Sequence, residues 1–487
     1  MWTIIAEKEL KEHLQSARFI VTAGISMLLL IASMALGIQH YKGRVAQHDQ
    51  AIQMMLETAA QQTNWNMVPA AAYRKPDVME VFVNGVNSDI GRFSEITLMR
   101  NVRLVRSEFS DDPMLAVFQF LDPTFVVLIV LSLLAILFTY NAVNGEKESG
   151  TLKLVFANGI SRAEFILGKL AGGWVALLVP VVLAFLIGGL MLILMGVEMD
   201  AAQWGKFGFF VLASVLYFTC FMLIGVLVSA FTGRSSVSFL VLLVLWISAV
   251  LIIPKASTML AGQAMPVATT DEVESRLASF ATQARTEFFG GMQQRWRERF
   301  RPTEGMKPEE ATQYQAENRP AWEKEDQDAR QEMEKKIADH TARSYEEYYN
   351  QKNRQEQLAF SLAKMSPASM FQLAAMKLAG TDTGLKRRYE DAMKNYRDQY
   401  TKFVQQKGGG FGGMRITVGR GSGGSVSMGG SQEGTKIDVG EMPRFQSPQY
   451  TLGEALTASL FDLGLLTIFN ILAFVGAFIA FLRFDMR

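Results

Sequence analysis

Residues 125–143 read FVVLIVLSLLAILFTYNAV, without one charge, and residues 144–169 follow as NGEKESGTLKLVFANGISRAEFILGK. A helix of ~20 apolar residues crosses a hydrocarbon core of ~30 Å, so the first stretch predicts a membrane span. The second, polar and mixed in charge, predicts the loop on which that span lands. Working outward, five more charge-free runs occupy residues 19–38, 170–197, 207–233, 235–254 and 463–482. A buried core helix explains one such run; six together predict an α-helical polytopic membrane protein with six transmembrane helices. The whole-chain averages hide this, because 49% hydrophobic and 20% charged residues over 487 positions match a soluble protein. The net charge of +1 excludes a general nucleic-acid binder. A single cysteine, Cys220, excludes an intrachain disulfide framework and multi-cysteine metal sites.

The first run is too long for the apolar core of a signal peptide. A segment carrying both signs of charge (1–18) precedes it, and no small-residue cleavage site follows closely, so it reads as a retained span. Short loops set orientation. Lys147, Lys153, Arg162 and Lys169 in 144–169, Arg234 in the turn between the fourth and fifth runs, Arg483 and Arg487 at the C-terminus, and Lys8, Lys11 and Arg18 at the N-terminus share one side. Both termini and the 144–169 loop are therefore expected in the cytoplasm of a bacterial cell, with the spans in its inner membrane. The resulting division is a cytoplasmic amphipathic segment (1–18), a first span (19–38), an outer domain (39–124), a second span (125–143), the 144–169 loop, spans three to five (170–254), a large outer domain (255–462), a sixth span (463–482) and a cytoplasmic tail (483–487).

The first outer segment predicts a small mixed α/β domain. Residues 41–62 extend the first membrane helix outward, and 78–83 and 96–105 alternate like strands. The larger segment predicts mainly helix. Residues 271–406 hold 23 acidic and 23 basic residues, with opposite charges at helical spacing, as at Glu332 and Lys336. Its aromatic residues, among them Phe288, Trp296, Phe300, Trp322, Tyr345, Tyr348 and Tyr349, suit either the packed face of a helical hairpin or a surface gripping a partner. Residues 368–378 form an apolar helical stretch ending at Gly380, suited to lie on the membrane surface or to pack on the spans. Residues 408–430 contain 11 glycines and read as a hairpin with a flexible tip or as a disordered loop.

In the 144–169 loop, Ser161 and Glu164 have the spacing of a capping box, which satisfies reciprocal amides at a helix start. Leu152, Leu154, Val155 and Phe156 lie beside Glu146, Glu148 and Lys153 in a short amphipathic element that could rest at the lipid interface or dock into a partner's groove. The loop also resembles the signature of the type-2 ABC-transporter permease family. The matching residues are Glu146, Glu148, Gly150, Thr151, Leu152, Ser161, Arg162, Gly168 and Lys169. Leu121-Asp122-Pro123, Ser366-Pro367-Ala368-Ser369 and Ala379-Gly380-Thr381-Asp382 resemble a subgroup with large extracytoplasmic insertions, whose members serve gliding motility and nitrous-oxide-reductase maturation. The family's proline before the Ser-Arg piece is replaced by Asn158-Gly159.

The resemblance implies a coupling helix between the second and third spans, seated on a cytoplasmic ATPase subunit, and a second permease subunit, identical or paralogous. Glu146 and Glu148 become candidate charge partners of the ATPase, and Leu152 and Val155 candidate docking anchors. ATP and magnesium are expected on that partner and no cofactor on this chain, which has no Gly-x4-Gly-Lys-Ser/Thr loop and no His-Glu-x-x-His motif. The expected function is the membrane subunit of an ABC exporter. The alternative is a scaffold that transmits force to a periplasmic partner without moving a solute.

Overall fold

A computed structural model describes residues 2–68, 70–96, 102, 104–108, 121–157, 159–407 and 437–482. The glycine-rich stretch 408–430 lies outside the described residues. The chain is mostly helical. Six helices are long and apolar enough to cross a membrane: Ala17–Ala60, Pro123–Glu148, Arg162–Leu194, Ala201–Phe231, Ser235–Ala264 and Leu452–Leu482. They match the six runs in order. The chain divides into two compact units, one of Met1–Leu251 with Ser366–Arg487, the other Ile252–Met365. The loop between the fifth and sixth spans is thus shared between them.

In the first unit, α1 (Trp2–Gln15) precedes α2 (Ala17–Ala60). At 1.5 Å per residue the 44 residues of α2 reach about 66 Å, twice the hydrocarbon thickness, so the first span does continue as helix beyond the hydrocarbon. The second span opens with Asp122, whose carboxylate accepts from the Phe125 amide at 2.7 Å, and Pro123 takes the first helical turn. A π-helical stretch, Val126–Leu131, leads into α3 (Ser132–Thr139). The Tyr217 hydroxyl donates to the Leu128 carbonyl there at 3.0 Å. The loop holds α4 (Asn144–Glu148) and α5 (Thr151–Ala157), followed by α6 (Arg162–Leu194), which continues through Pro180. Next come α7 (Ala201–Phe231), opened by an Asp200–Gln203 capping box, and α8 (Ser235–Ile247). Phe210, Tyr217, Phe218 and Phe221 of α7 are fully buried, and Cys220 lies among them as apolar filler.

The second unit contains α9 (Ile253–Ala264), α10 (Thr270–Phe300) and α11 (Pro308–Ala363). Thr269 and Glu272 form a capping box at the start of α10. Helices α10 and α11 pair as a hairpin. Arg299 donates to Asp326 at 2.8 Å and to Glu325 at 2.7 Å, with its guanidinium 5.7 Å from the Trp322 ring centre. Lys336 reaches across to Glu287 at 3.2 Å rather than along its own helix to Glu332. Phe300 and Trp322 face each other at 5.8 Å, as a packed face requires, while Trp296 and Tyr349 stay exposed.

Back in the first unit, α12 (Pro367–Ala379) is the apolar stretch expected either on the membrane or on the spans. It packs on the spans. Phe371 stacks on Tyr217 at 4.8 Å, and Lys377 donates to Asp462 of α14 (Leu452–Leu482) at 2.6 Å. Helix α13 (Leu385–Gln406) places Leu385, Tyr389, Met393, Tyr396, Tyr400 and Val404 on one face. That face shares a core with Ala59, Ala70, Ala72, Ile90 and Leu104, so the segments before the second span and after α12 build one body.

The small α/β domain has a two-stranded antiparallel sheet, β1 (Ala71–Tyr73) on β2 (Phe93–Glu95), with Ala71 opposite Glu95. The strand expected at 78–83 is absent. Val78–Val81 is a 3-10 turn whose start is capped by Asp77, which accepts from the Met79 amide at 2.9 Å. Its valines, Met79 and Phe82 are all buried. Burial on every side removed the alternation that a half-exposed strand requires. Most of the strand expected at 96–105 lies outside the described residues; at its ends the Ile96 amide donates to the Ala70 carbonyl at 2.8 Å and Val105 forms a bridge with Phe93.

Candidate coupling site

The 144–169 loop is a compact corner built on two left-handed glycines. Gly150 (φ +75°) separates α4 from α5, and Gly159 (φ +74°) turns the chain toward α6. A side chain at either position is strained by contact of its Cβ with the backbone. Gly159 thus makes the turn where the family carries proline. Ser161 then caps α6: its hydroxyl accepts from the Glu164 amide at 3.2 Å while Glu164 accepts from the Ser161 amide at 3.3 Å. The expected capping box is present.

Glu146 accepts from Lys169 at 2.9 Å and from the Thr151 hydroxyl, and it lies 3.9 Å from Lys8. Lys169 also reaches Glu9 of α1 at 2.8 Å. The three side chains are nearly buried, at 8% exposure for Lys169, 10% for Glu9 and 12% for Glu146. Close approach of α1 makes this triad possible. A Cβ added at Gly168 would sit 2.7 Å from the Ile5 Cβ, and one at Gly172 would sit 2.5 Å from the Ala6 carbonyl oxygen. The two glycines, one turn apart, form the groove in which α1 rests.

Glu148 points elsewhere. Its carboxylate accepts from the backbone amide of Ser235 at 2.9 Å and from that residue's hydroxyl at 2.6 Å. Beside it, fully buried Asn144 donates to Thr232 Oγ1 at 3.1 Å and accepts from the Ser229 hydroxyl at 3.2 Å, with the Ser235 hydroxyl oxygen also 3.2 Å away. At the far side of the loop, Arg162 donates to the Leu482 carbonyl, and Phe165 stacks on Phe481 at 5.3 Å.

The structure therefore brings Glu146, Thr151, Gly168 and Lys169 together, and separates Glu148 from them. Leu152, expected as a projecting anchor, is buried at 3% exposure in the chain's own core. An apolar side chain at the start of so short a helix gains more from the adjacent bundle than from solvent. The Val155 side chain lies outside what the structure describes. Glu146 is closed off by its own lysines, and both oxygens of Glu148 are engaged by Ser235. Among the described residues from 144 to 161, Glu148, Ser149, Gly150, Ala157, Gly159 and Ser161 are exposed. Sequence reasoning missed Glu9, Asn144, Gly172, Ser229 and Ser235. Only Gly168-x3-Gly172 carried a signal, since small residues four apart let helices approach closely.

Residues 3–486 match the family described as ABC-2 family transporter protein. This chain belongs to that family. It is also 35% identical over 89 residues to the probable ABC transporter permease protein NosY of Stutzerimonas stutzeri, a match covering 18% of this chain and 32% of that relative. The match thus spans about a third of the relative's length. Membership accords with the six apolar helices and makes the chain a multi-pass membrane subunit of the ABC-permease type.

Proposed function

We propose that the chain couples ATP hydrolysis by a separate cytoplasmic ATPase subunit to export across the bacterial inner membrane. The observation carrying this reading is the construction of the 144–169 loop. Two short helices are held by α1, the start of α6, the turn before α8 and the end of α14, while Ser149, Gly150, Ala157 and Gly159 stay exposed. A corner fixed at several points can pass a displacement to several spans. The termini and this loop face the cytoplasm on this reading, as short-loop basic residues favour. ATP and magnesium belong to the ATPase pair, no cofactor is carried by this chain, and a second permease subunit, identical or paralogous, completes the complex. The 39–124 and 366–451 segments then lie outside.

The test is copurification with a candidate ABC ATPase subunit from the same cell, followed by ATP hydrolysis in nanodiscs. Ala157→Arg places a long cation at an exposed position of the loop without disturbing a buried contact. It is expected to weaken ATPase binding or stimulated hydrolysis at least tenfold, about 1.4 kcal/mol of lost docking energy. Unchanged binding and hydrolysis would remove the coupling role.

A second reading is favoured by the unit Ile252–Met365. The 56 residues of α11 span about 84 Å, largely exposed and charged, a form suited to transmitting force to a periplasmic partner. A membrane interface without a polar cavity in the assembled dimer supports that reading over solute export.

A further inference from the structure

We propose that Glu148 and Ser235 are positioning residues that carry displacement of the 144–169 loop to the fifth span. They act separately from the arm that runs through Glu146, Lys169 and Glu9 to the third span. The proposal rests on the reading of this loop as the contact for an ATPase.

Helix α8 begins without a cap of its own, since Arg234 at its N-cap position makes no side-chain bond to the helix. The first amides of a helix have no internal partner, and a carboxylate is favoured there. Glu148 supplies that carboxylate from a different element, 87 residues earlier. Asn144 and Ser229 reinforce the joint. The Ser229 hydroxyl accepts from the Val143 backbone amide at 3.0 Å and the Asn144 backbone amide at 3.3 Å, and donates to Oδ1 of the Asn144 side chain. Helix α4 and the turn 232–235 therefore move as one piece.

Between its ends α8 makes few contacts: only Ser238, Leu242 and Trp246 of α8 are buried, and Leu240 and Val244 are 61% and 65% exposed. Near its far end the Trp246 indole donates to the Ser132 hydroxyl of α3 at 2.8 Å. The start of a helix held in this way takes its position from the grip at its first turn. Residues two apart on a helix do not share a face. Glu146 and Glu148 thus grip opposite sides of α4, and one displacement of α4 pulls on both the third and fifth spans.

The test is hydrogen exchange of the intact complex with its ATPase in nanodiscs, with and without ATP and vanadate. In the wild type, nucleotide is expected to change exchange in 144–157, 162–172 and 235–239. In Glu148→Ala the change in 235–239 should shrink roughly threefold, the scale of an exposed charged contact, while that in 162–172 persists. Ser235→Ala should reproduce the loss and Ser235→Thr, which keeps the hydroxyl, should restore it. A purely structural cap would raise exchange in 235–239 equally with and without nucleotide. Such a uniform rise, or a wild-type nucleotide response in Glu148→Ala, overturns the proposal. Should Glu148→Ala fail to assemble, Glu148→Gln is judged by the same two criteria. Absence of any nucleotide response in wild-type 144–157 overturns the coupling reading itself, and this proposal with it.

Discussion

Lys169 and Glu146 stand 2.9 Å apart at the two ends of the loop between the second and third spans, and their contact closes that loop on its own base. The same ammonium holds Glu9 at 2.8 Å, so one cation keeps two nearly buried carboxylates together. Removing the cation leaves them facing each other.

Lys169→Met is therefore expected to cost about 3–5 kcal/mol, the range for breaking a buried pair by deleting one partner. Lys169→Met with Glu9→Gln and Glu146→Gln should recover much of the loss, because no unpaired charge is then left. Thermal inactivation of the detergent-solubilised protein checks both. Equal loss in the single and triple variants would contradict the assignment.

Gly172→Ala is expected to push α1 off α6, because the added Cβ meets the Ala6 carbonyl oxygen at 2.5 Å and backbone cannot yield as a side chain can. Overpacking of this kind costs about 1–3 kcal/mol. Limited trypsin digestion should then cut at Lys8 and Lys11 faster than in the wild type. Gly208→Ala, where the Cβ meets nothing within 4 Å, is the control and should leave digestion unchanged.

In the α10–α11 hairpin, hydrogen bonding and charge from Arg299, and then Arg295, hold the Asp326 carboxyl below its ordinary value of 3.8. A depressed folded value means the unfolded chain binds the proton more readily. The stabilisation is complete above the ordinary aspartate value and is lost as pH falls through the lower folded one. Amide exchange near Arg299 should accelerate over that acid window, beyond the intrinsic pH dependence of exchange. In Asp326→Asn this extra acceleration should vanish.

The six spans were legible because each is a charge-free run whose length matches the bilayer. The capping box at Ser161 was legible because its partners lie within one turn. The partners of Glu146 and Glu148 were not. Glu9 and Ser235 come from distant parts of the chain, and nothing local distinguishes a carboxylate that meets a lysine from one that faces a partner protein. Residues 78–83 misled because total burial and strand alternation both place valines at these positions. Residues 368–378 showed an apolar face without its occupant, which the Phe371–Tyr217 stack and the Lys377–Asp462 pair supply.

The most direct test of the coupling reading is a photo-crosslinking residue at position 157, replacing exposed Ala157, in native membranes that also contain the candidate ATPase subunit. The account predicts a covalent adduct with the ATPase subunit whose yield changes when ATP and vanadate are added. An ATPase that copurifies with the chain but forms no adduct from position 157, with or without nucleotide, would contradict it.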